Sequence, residues 1–314
     1  MSGNEKDLLP SWNEGQVKRA MIDFVSRVTK KGGPYFVPAE DRIATFDNDG
    51  TLWIEKPFYV QLFFAIDRIR SLAQQHPEWR EKQPYKAILE NDKAALANIS
   101  KKEIAEMLLE VHAGSGQEEF IRIAREWLAN ARHPRFNTLF TELVYQPMLE
   151  LIDYLRANGF KVFIVSGGGI DFIRAFSEET YGIPCENVVG SSLEYEYAKI
   201  DGDWRLTRLA KLNKYDDAEG KPESIALHIG RRPIFVGGNS DGDLAMMRYA
   251  ATGKKPFLNV LLHHDDAHRE WSYDVESPVG KLSEGLDEAE ERGWTVVSMK
   301  NDWDKVFQLK FNKI

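Results

Sequence analysis

Two carboxylates stand two residues apart in Phe46-Asp47-Asn48-Asp49-Gly50-Thr51-Leu52-Trp53, just after the apolar pair Ile43-Ala44. Along an extended backbone they would point to opposite faces. In a turn just past a strand end both can swing toward one ligand, and Gly50 permits the sharp bend. One carboxylate could then attack a substrate while the other moves protons. Asp, Asn and Gly are also the usual residues of a plain surface turn, so the stretch acquires meaning only from three others. The first is a β-rich run at 161–165 that ends in Ser166-Gly167-Gly168-Gly169 before a helix starting near Ile170. Backbone N–H groups at a helix start, with glycines allowing close approach, make a seat for phosphate. The second is Gly220-Lys221-Pro222, where Pro222 suits the first turn of a helix reaching His228, and where Lys221 is either a solvated side chain or a buried counter-charge. The third is the apolar run 233–236 followed by Gly237-Gly238-Asn239-Ser240-Asp241-Gly242-Asp243 and a helix over 244–250. Its acidic residues either bind a metal or cap the helix.

The elements that would position these residues can be read from periodicity. Residues 12–31 place Val17, Met21, Phe24, Val25 and Val28 on one helical face, with Ser11 as N-cap and Gly32-Gly33-Pro34 as the stop. After the Asp47 turn the chain does not return to a second strand. It offers amphipathic helices at 58–75, 85–97, 101–111 and 117–131, broken at Gly114-Ser115-Gly116. The aromatic face of Phe58, Tyr59, Phe63 and Phe64 is expected to pack within this insert, while Trp53 and Tyr59, nearest the turn, are expected to touch substrate. A helix over 148–158 then leads into the run at 161–165. Strand residues at 193–199 and 204–209 flank Asp201-Gly202, a hairpin signal. Residues 257–262 read as the last central strand, followed by an exposed charged helix and a β-rich segment at 294–297. His263, His264, Asp265, Asp266 and His268 have no Cys beside them and Asp265 could cap a helix, so a solvated strand end is expected there in preference to zinc, with His263 or His264 able to reach substrate.

Composition bounds the function. At 314 residues and 43% hydrophobic, the chain can bury a large core and carry a smaller second unit. A net charge of −8 argues against nucleic acid or an anionic membrane surface as partner. The single Cys185 precludes an intrachain disulfide and, beside Ile183 and Pro184, reads as a packed thiol. The first residues lack the basic and apolar pattern of a signal peptide, and no apolar run approaches the roughly 20 residues that span a bilayer. A cytoplasmic protein is therefore expected, of undetermined oligomeric state.

The four stretches, in this order, resemble the motifs of the haloacid dehalogenase superfamily, whose phosphatases begin with Asp-x-Asp-Gly-Thr. The resemblance implies an α/β fold with a Rossmann-like, mostly parallel sheet flanked by helices. The core would comprise residues 1–56 and 145–314, and residues 57–144 would form a helical cap over the active site. By the same resemblance Asp47 is the nucleophile that becomes an aspartyl-phosphate, and Asp49 is the general acid and base. Dehalogenating members lack that second Asp, so its presence favours phosphoryl transfer. Ser166 would hydrogen-bond the phosphoryl group together with Thr51 and Gly167, and Lys221, with Lys211 and Lys214 as competitors, would neutralise its charge. Mg²⁺ would be held by Asp47, the backbone carbonyl of Asp49, Asn239 and Asp243. Many relatives have Gly-Asp where this chain has Gly238-Asn239, so Asp243 or Asp241 would carry more of the site. The implied activity is Mg²⁺-dependent hydrolysis of a small phosphomonoester. A phosphotransferase or phosphomutase would use the same residues, and the uncharged Asn239 also admits a non-catalytic, phosphate-binding regulatory protein. The serial arrangement resembles phosphoserine phosphatases, but the insert shows no pattern tied to an amino-acid head group, and its aromatics would also suit a cation such as choline.

Overall fold

The computed structural model describes residues 7–92, 95 and 101–308. Helix α1 (Gln16–Thr29) buries Met21, Phe24, Val25 and Val28. Ser11 does not cap it, because the Ser11 hydroxyl donates to Glu150 Oε1 at 2.7 Å and Gly15 occupies the cap position. Strand β1 (Ile43–Phe46) follows, buried at every residue as a central parallel strand must be. The chain then leaves the sheet through α2 (Val60–Leu72), α3 (Tyr85–Glu90), α4 (Lys101–His112) and α5 (Gln117–Leu128). The expected helix over 85–97 is helical to Glu90, and part of its remainder lies outside the described residues. The chain returns through α6 (Gln146–Ala157) into β2 (Lys161–Gly169). Next come the short helices α7 (Ile170–Arg174) and α8 (Ser177–Tyr181), then β3 (Val188–Ile200) and β4 (Asp203–Lys214), a hairpin turned by Asp201 and Gly202 at φ 53° and 92°. Helix α9 (Gly220–Ser224) leads to β5 (Phe235–Gly238), α10 (Leu244–Ala251), β6 (Leu258–Asp265), β7 (Ser272–Tyr273), α11 (Gly285–Arg292), β8 (Thr295–Ser298) and α12 (Met299–Asp302).

The sheet order is β4-β3-β2-β1-β5-β6-β7, with β8 also paired to β6. The pairings β3-β2, β2-β1, β1-β5, β5-β6 and β6-β8 are parallel, and β4 and β7 are antiparallel additions. The β-rich segment at 294–297 contributes β8, a strand of the parallel sheet itself. Side chains alternate between two layers: Ile164, Phe235 and Val260 join the cluster that holds α1 and α6, while Val165, Val236 and Leu261 join the cluster that holds α10 and Ala289 of α11. From β1 the chain fills one side of the sheet through β2 and β3, then crosses to the other side through β5 and β6. That reversal opens a crevice beyond the carboxyl end of β1, where open α/β sheets bind ligands.

The helical insert is continuous with this core. Phe64 of α2, Phe120 and Leu128 of α5, and Phe140 all belong to the main cluster, and the Phe64 and Phe172 rings lie 5.3 Å apart. A smaller cluster of Ile69, Trp79, Tyr85, Ile88, Met107 and Val111 holds the insert's outer part. At Gly114-Ser115-Gly116 the backbone is stitched to β4: Gly114 N donates to Arg208 O at 2.8 Å, Arg208 N to Ser115 O at 3.1 Å, and Gly116 bridges to Thr207. Among the described residues no helix is long and apolar enough to cross a membrane.

Candidate active site

The loops beyond β1, β2 and β5 meet in the crevice. The Asp47 N–H donates to Gly237 O at 3.0 Å, which ties the turn after β1 to the end of β5. Gly50 has φ +74°, and a Cβ there would come within 2.2 Å of Asn239 Nδ2 and 2.3 Å of Glu55 Oε1, so both the turn and its packing require glycine. Lys221 reaches in from α9, almost fully buried. Its ammonium donates at 2.7 Å to Asp47 Oδ1, at 2.7 Å to Asp243 Oδ1 and at 2.9 Å to Val165 O. Burial opposes that charge, but Asp243 and Asp47 together raise the lysine's pKa and keep it protonated. Lys211 and Lys214 lie elsewhere, paired with Glu194 and Glu223.

Burial also pushes Asp47 well above the usual carboxylate range, with Lys221 pulling against it and Asp243 adding to the push. Asp49 is raised to about 6 by burial, against hydrogen bonds from the Trp53 and Asn48 side chains. Such a carboxyl can give and take a proton near neutrality. Trp53, expected at the substrate, is instead fully buried and stacked on Phe176 with centroids 4.3 Å apart, its indole N–H donating to Asp49 Oδ1 at 2.8 Å. Tyr59 remains partly exposed.

The glycine stretch expected as a loop is a continuation of β2, with a register shift against β3 between Ser166 and Gly169. Ser166 Oγ accepts from Gly168 N at 3.1 Å, and Gly169 N donates to Gln61 Oε1 of α2 at 2.8 Å. The insert thus touches the expected phosphate seat directly. Thr51, expected to bind phosphate, is buried and gives its hydroxyl to Asn239 Oδ1 at 2.9 Å.

The Asn239-to-Asp243 loop is organised from within. Asp243 Oδ2 accepts from Asn239 N at 2.9 Å and from Ser240 N at 3.0 Å in a capping box, while its Oδ1 takes Lys221. Both oxygens of Asp243, expected to bind metal, thus carry hydrogen bonds within the loop and from Lys221. Asp241 accepts from Ser283 N and Gly285 N at 3.0 and 3.1 Å, which commits it to the start of α11. Among the described residues no three His, Cys, Asp or Glu side chains form a metal-binding group. A divalent cation could draw on the second Asp47 oxygen, the Asp49 carbonyl and the Asn239 amide oxygen. Such a hard, oxygen-only set with few carboxylates, completed by water and substrate oxygens, suits Mg²⁺.

A rear wall that sequence reasoning missed backs this turn. Glu55 is almost completely buried, and its Oε1 accepts from Asn239 Nδ2 at 2.8 Å and from the Tyr273 hydroxyl at 2.7 Å. Burial pushes its carboxyl well above the ordinary range, with Tyr273 opposing and Asp49 and Asp47 adding to the push. His264 is also buried, not solvated. Its Nε2 meets Gly50 O at 2.7 Å and its Nδ1 meets Glu270 Oε2 at 3.2 Å, while its ring stacks on Tyr273 at 4.5 Å. Because the carbonyl can only accept, Nε2 carries the proton in that contact. The available signal was a lone acid at the end of the apolar run Leu52-Trp53-Ile54-Glu55; no spacing rule links it to residue 239 or 273.

Comparison with known proteins bears on the family and the fold. A family model described as haloacid dehalogenase-like hydrolase matches residues 44–248, and no curated protein matches the chain. A conserved protein of unknown function from Anaerococcus prevotii is similar in structure, at 18% identity and a TM-score of 0.53, over 85% of this chain and 96% of its own. A protein of unknown function from Bordetella pertussis gives 18% and 0.49, over 82% and 97%. A probable phosphoserine phosphatase from Vibrio cholerae gives 19% and 0.39, over 77% and 59%.

Proposed function

The chain belongs to the haloacid dehalogenase-like hydrolase family, and from that premise we propose that it is a Mg²⁺-dependent phosphomonoester hydrolase acting through Asp47 on a small phosphorylated metabolite. The observation that carries this reading is the Lys221 ammonium held at 2.7 Å from both Asp47 and Asp243, beside the Ser166–Gly169 stretch. A phosphomonoester dianion repels an attacking carboxylate, so a fixed buried cation at the nucleophile is what this chemistry needs. Mg²⁺ held by Asp47, the Asp49 carbonyl and Asn239 would add further positive charge opposite the phosphate. Asp47 attacks phosphorus in line, the ester P–O bond breaks, and Asp49 protonates the departing oxygen. Asp49 then takes a proton from the water that attacks the aspartyl-phosphate, which restores Asp47 and releases inorganic phosphate. The insert, with Gln61 on the Gly169 amide, serves as the cap that selects small substrates.

The test is phosphate release from an aryl phosphate and a panel of alkyl phosphomonoesters, with Mg²⁺ and with EDTA. Turnover that requires Mg²⁺ and disappears in Asp47→Asn is expected. Intact binding of phosphate without turnover of any ester would replace the hydrolase by a phosphate-binding regulatory protein, and transfer to an added alcohol in place of water would make it a phosphotransferase.

A further inference from the structure

An N–H group can only donate, so the carboxyl oxygen that meets it must accept. This simple constraint bears on Asp49 because Trp53 Nε1 lies 2.8 Å from Oδ1. The indole has little freedom to leave. It is completely buried, stacked on Phe176 at an interplanar angle of 20°, and its backbone is pinned by bridges to Asp49 and Val144 and by Gly50 N donating to Trp53 O at 2.9 Å. In the acid form of Asp49, a proton on Oδ1 would confront the indole proton head-on, whereas a proton on Oδ2 leaves the hydrogen bond intact. Oδ2 faces the phosphate seat: it lies 3.4 Å from where a Cβ on Gly168 would stand, next to the Gly168 amide that donates to Ser166 Oγ.

We propose that Trp53 is a positioning residue for proton transfer, assigning Oδ1 of Asp49 to the acceptor role and the mobile proton to Oδ2, turned toward the departing oxygen of the substrate. The proposal rests on the hydrolase reading above. In the first step the electron pair of the breaking P–O bond stays on the leaving oxygen, which takes the proton from Oδ2. In the second step Oδ2 recovers a proton from the attacking water. Without the indole N–H, Oδ1 loses its fixed donor and can itself carry the proton, so the proton is often misplaced.

Leaving groups of different basicity test this at one fixed pH. An alkoxide cannot depart without a proton, whereas p-nitrophenolate scarcely needs one. Trp53→Phe keeps the stacking and loses the donor; site-specific replacement of Trp53 by 3-benzothienylalanine keeps the ring shape and loses only the N–H. In both, kcat/KM on alkyl phosphates, which reports only the steps up to departure of the alcohol, is expected to fall by about tenfold or more, a part of the 10² to 10⁴ that acid–base catalysis supplies, with kcat/KM on p-nitrophenyl phosphate changing by less than about threefold. In an Asp49→Asn background, removing the N–H is expected to cost nothing further, because the two residues act as one unit. Equal losses on both leaving groups, or no loss on alkyl phosphates, would overturn the positioning role and leave Trp53 a packing residue. A wild-type protein that hydrolyses neither kind of ester would overturn the hydrolase reading itself, and this proposal with it.

Discussion

The catalytic turn has a front and a rear that are built on different principles. At the front, facing the crevice, Asp47, Lys221 and Asp243 form a charged cluster in which one ammonium serves two carboxylates at 2.7 Å each. At the rear, Glu55, Tyr273, His264 and Glu270 form a hydrogen-bonded wall around Gly50 O and the Asn239 amide. Charge near a nucleophile does chemistry, so it must be concentrated and is costly to disturb. A wall behind a backbone turn needs only to fix shape, so hydrogen-bonding partners serve. The front should therefore govern rate, and the rear should govern stability and geometry.

The largest expected effect tests the front. Asp47→Asn should reduce kcat on the order of 10⁴ to 10⁶-fold, as loss of a nucleophile does in other enzymes, while the chain still folds, as circular dichroism would check. Substantial retained activity would place the attack elsewhere. Next is Lys221→Met, which leaves Asp47 and Asp243 facing each other unpaired. Removing one partner from a buried ion cluster costs about 3–5 kcal/mol, so denaturant unfolding should reveal a loss of that order together with loss of turnover. A stable, active Lys221→Met protein would show that the cluster is not what the front depends on.

The rear should respond more gently. His264→Phe removes the donor to Gly50 O, a cost of about 1–3 kcal/mol for an unsatisfied buried group, with kcat falling far less than for Asp47→Asn. His264→Gln can still donate and should recover much of the stability. If Phe and Gln behaved alike in thermal unfolding, the Gly50 contact would carry no weight. The smallest effect concerns Asn239. Asn239→Asp sets a carboxylate oxygen in place of Nδ2, 2.8 Å from Glu55 Oε1, so two buried acids collide. In EDTA the single variant should unfold at lower temperature than Glu55→Gln/Asn239→Asp, with a coupling of about 0.5–3 kcal/mol. Additive effects would mean that the pair is not matched.

The same division explains what was legible in the sequence. The front's residues sit at local strand, turn and helix signals, which marked Asp47, Ser166, Lys221 and Asp243 as candidates; their roles came from the resemblance to the haloacid dehalogenase superfamily and from no local signal. Asn239 was legible as a position but not as an environment, since its partners Thr51 and Glu55 are 188 and 184 residues away. The rear wall gave no local signal. His264 follows an apolar strand and looked like a solvated end, because nothing in the sequence reveals that Tyr273 and Glu270 fold back over it. The hairpin around Asp201-Gly202 was legible through its turn residues, whereas its pairing with the helical insert was not, because Gly114-Ser115-Gly116 has no strand character of its own.

That last pairing sets the terms on which the crevice can admit a substrate. A glycine pair in a helical insert suggests slack, yet here the backbone is sewn to β4 on both sides of Ser115. The insert and the hairpin can only travel together, or separate by breaking those bonds. The amide protons of Gly114 and Arg208 consequently exchange with solvent only when the seam parts. Their exchange with deuterium in the resting protein would thus time that separation, and a rate slower than turnover would mean that substrates enter with the seam closed.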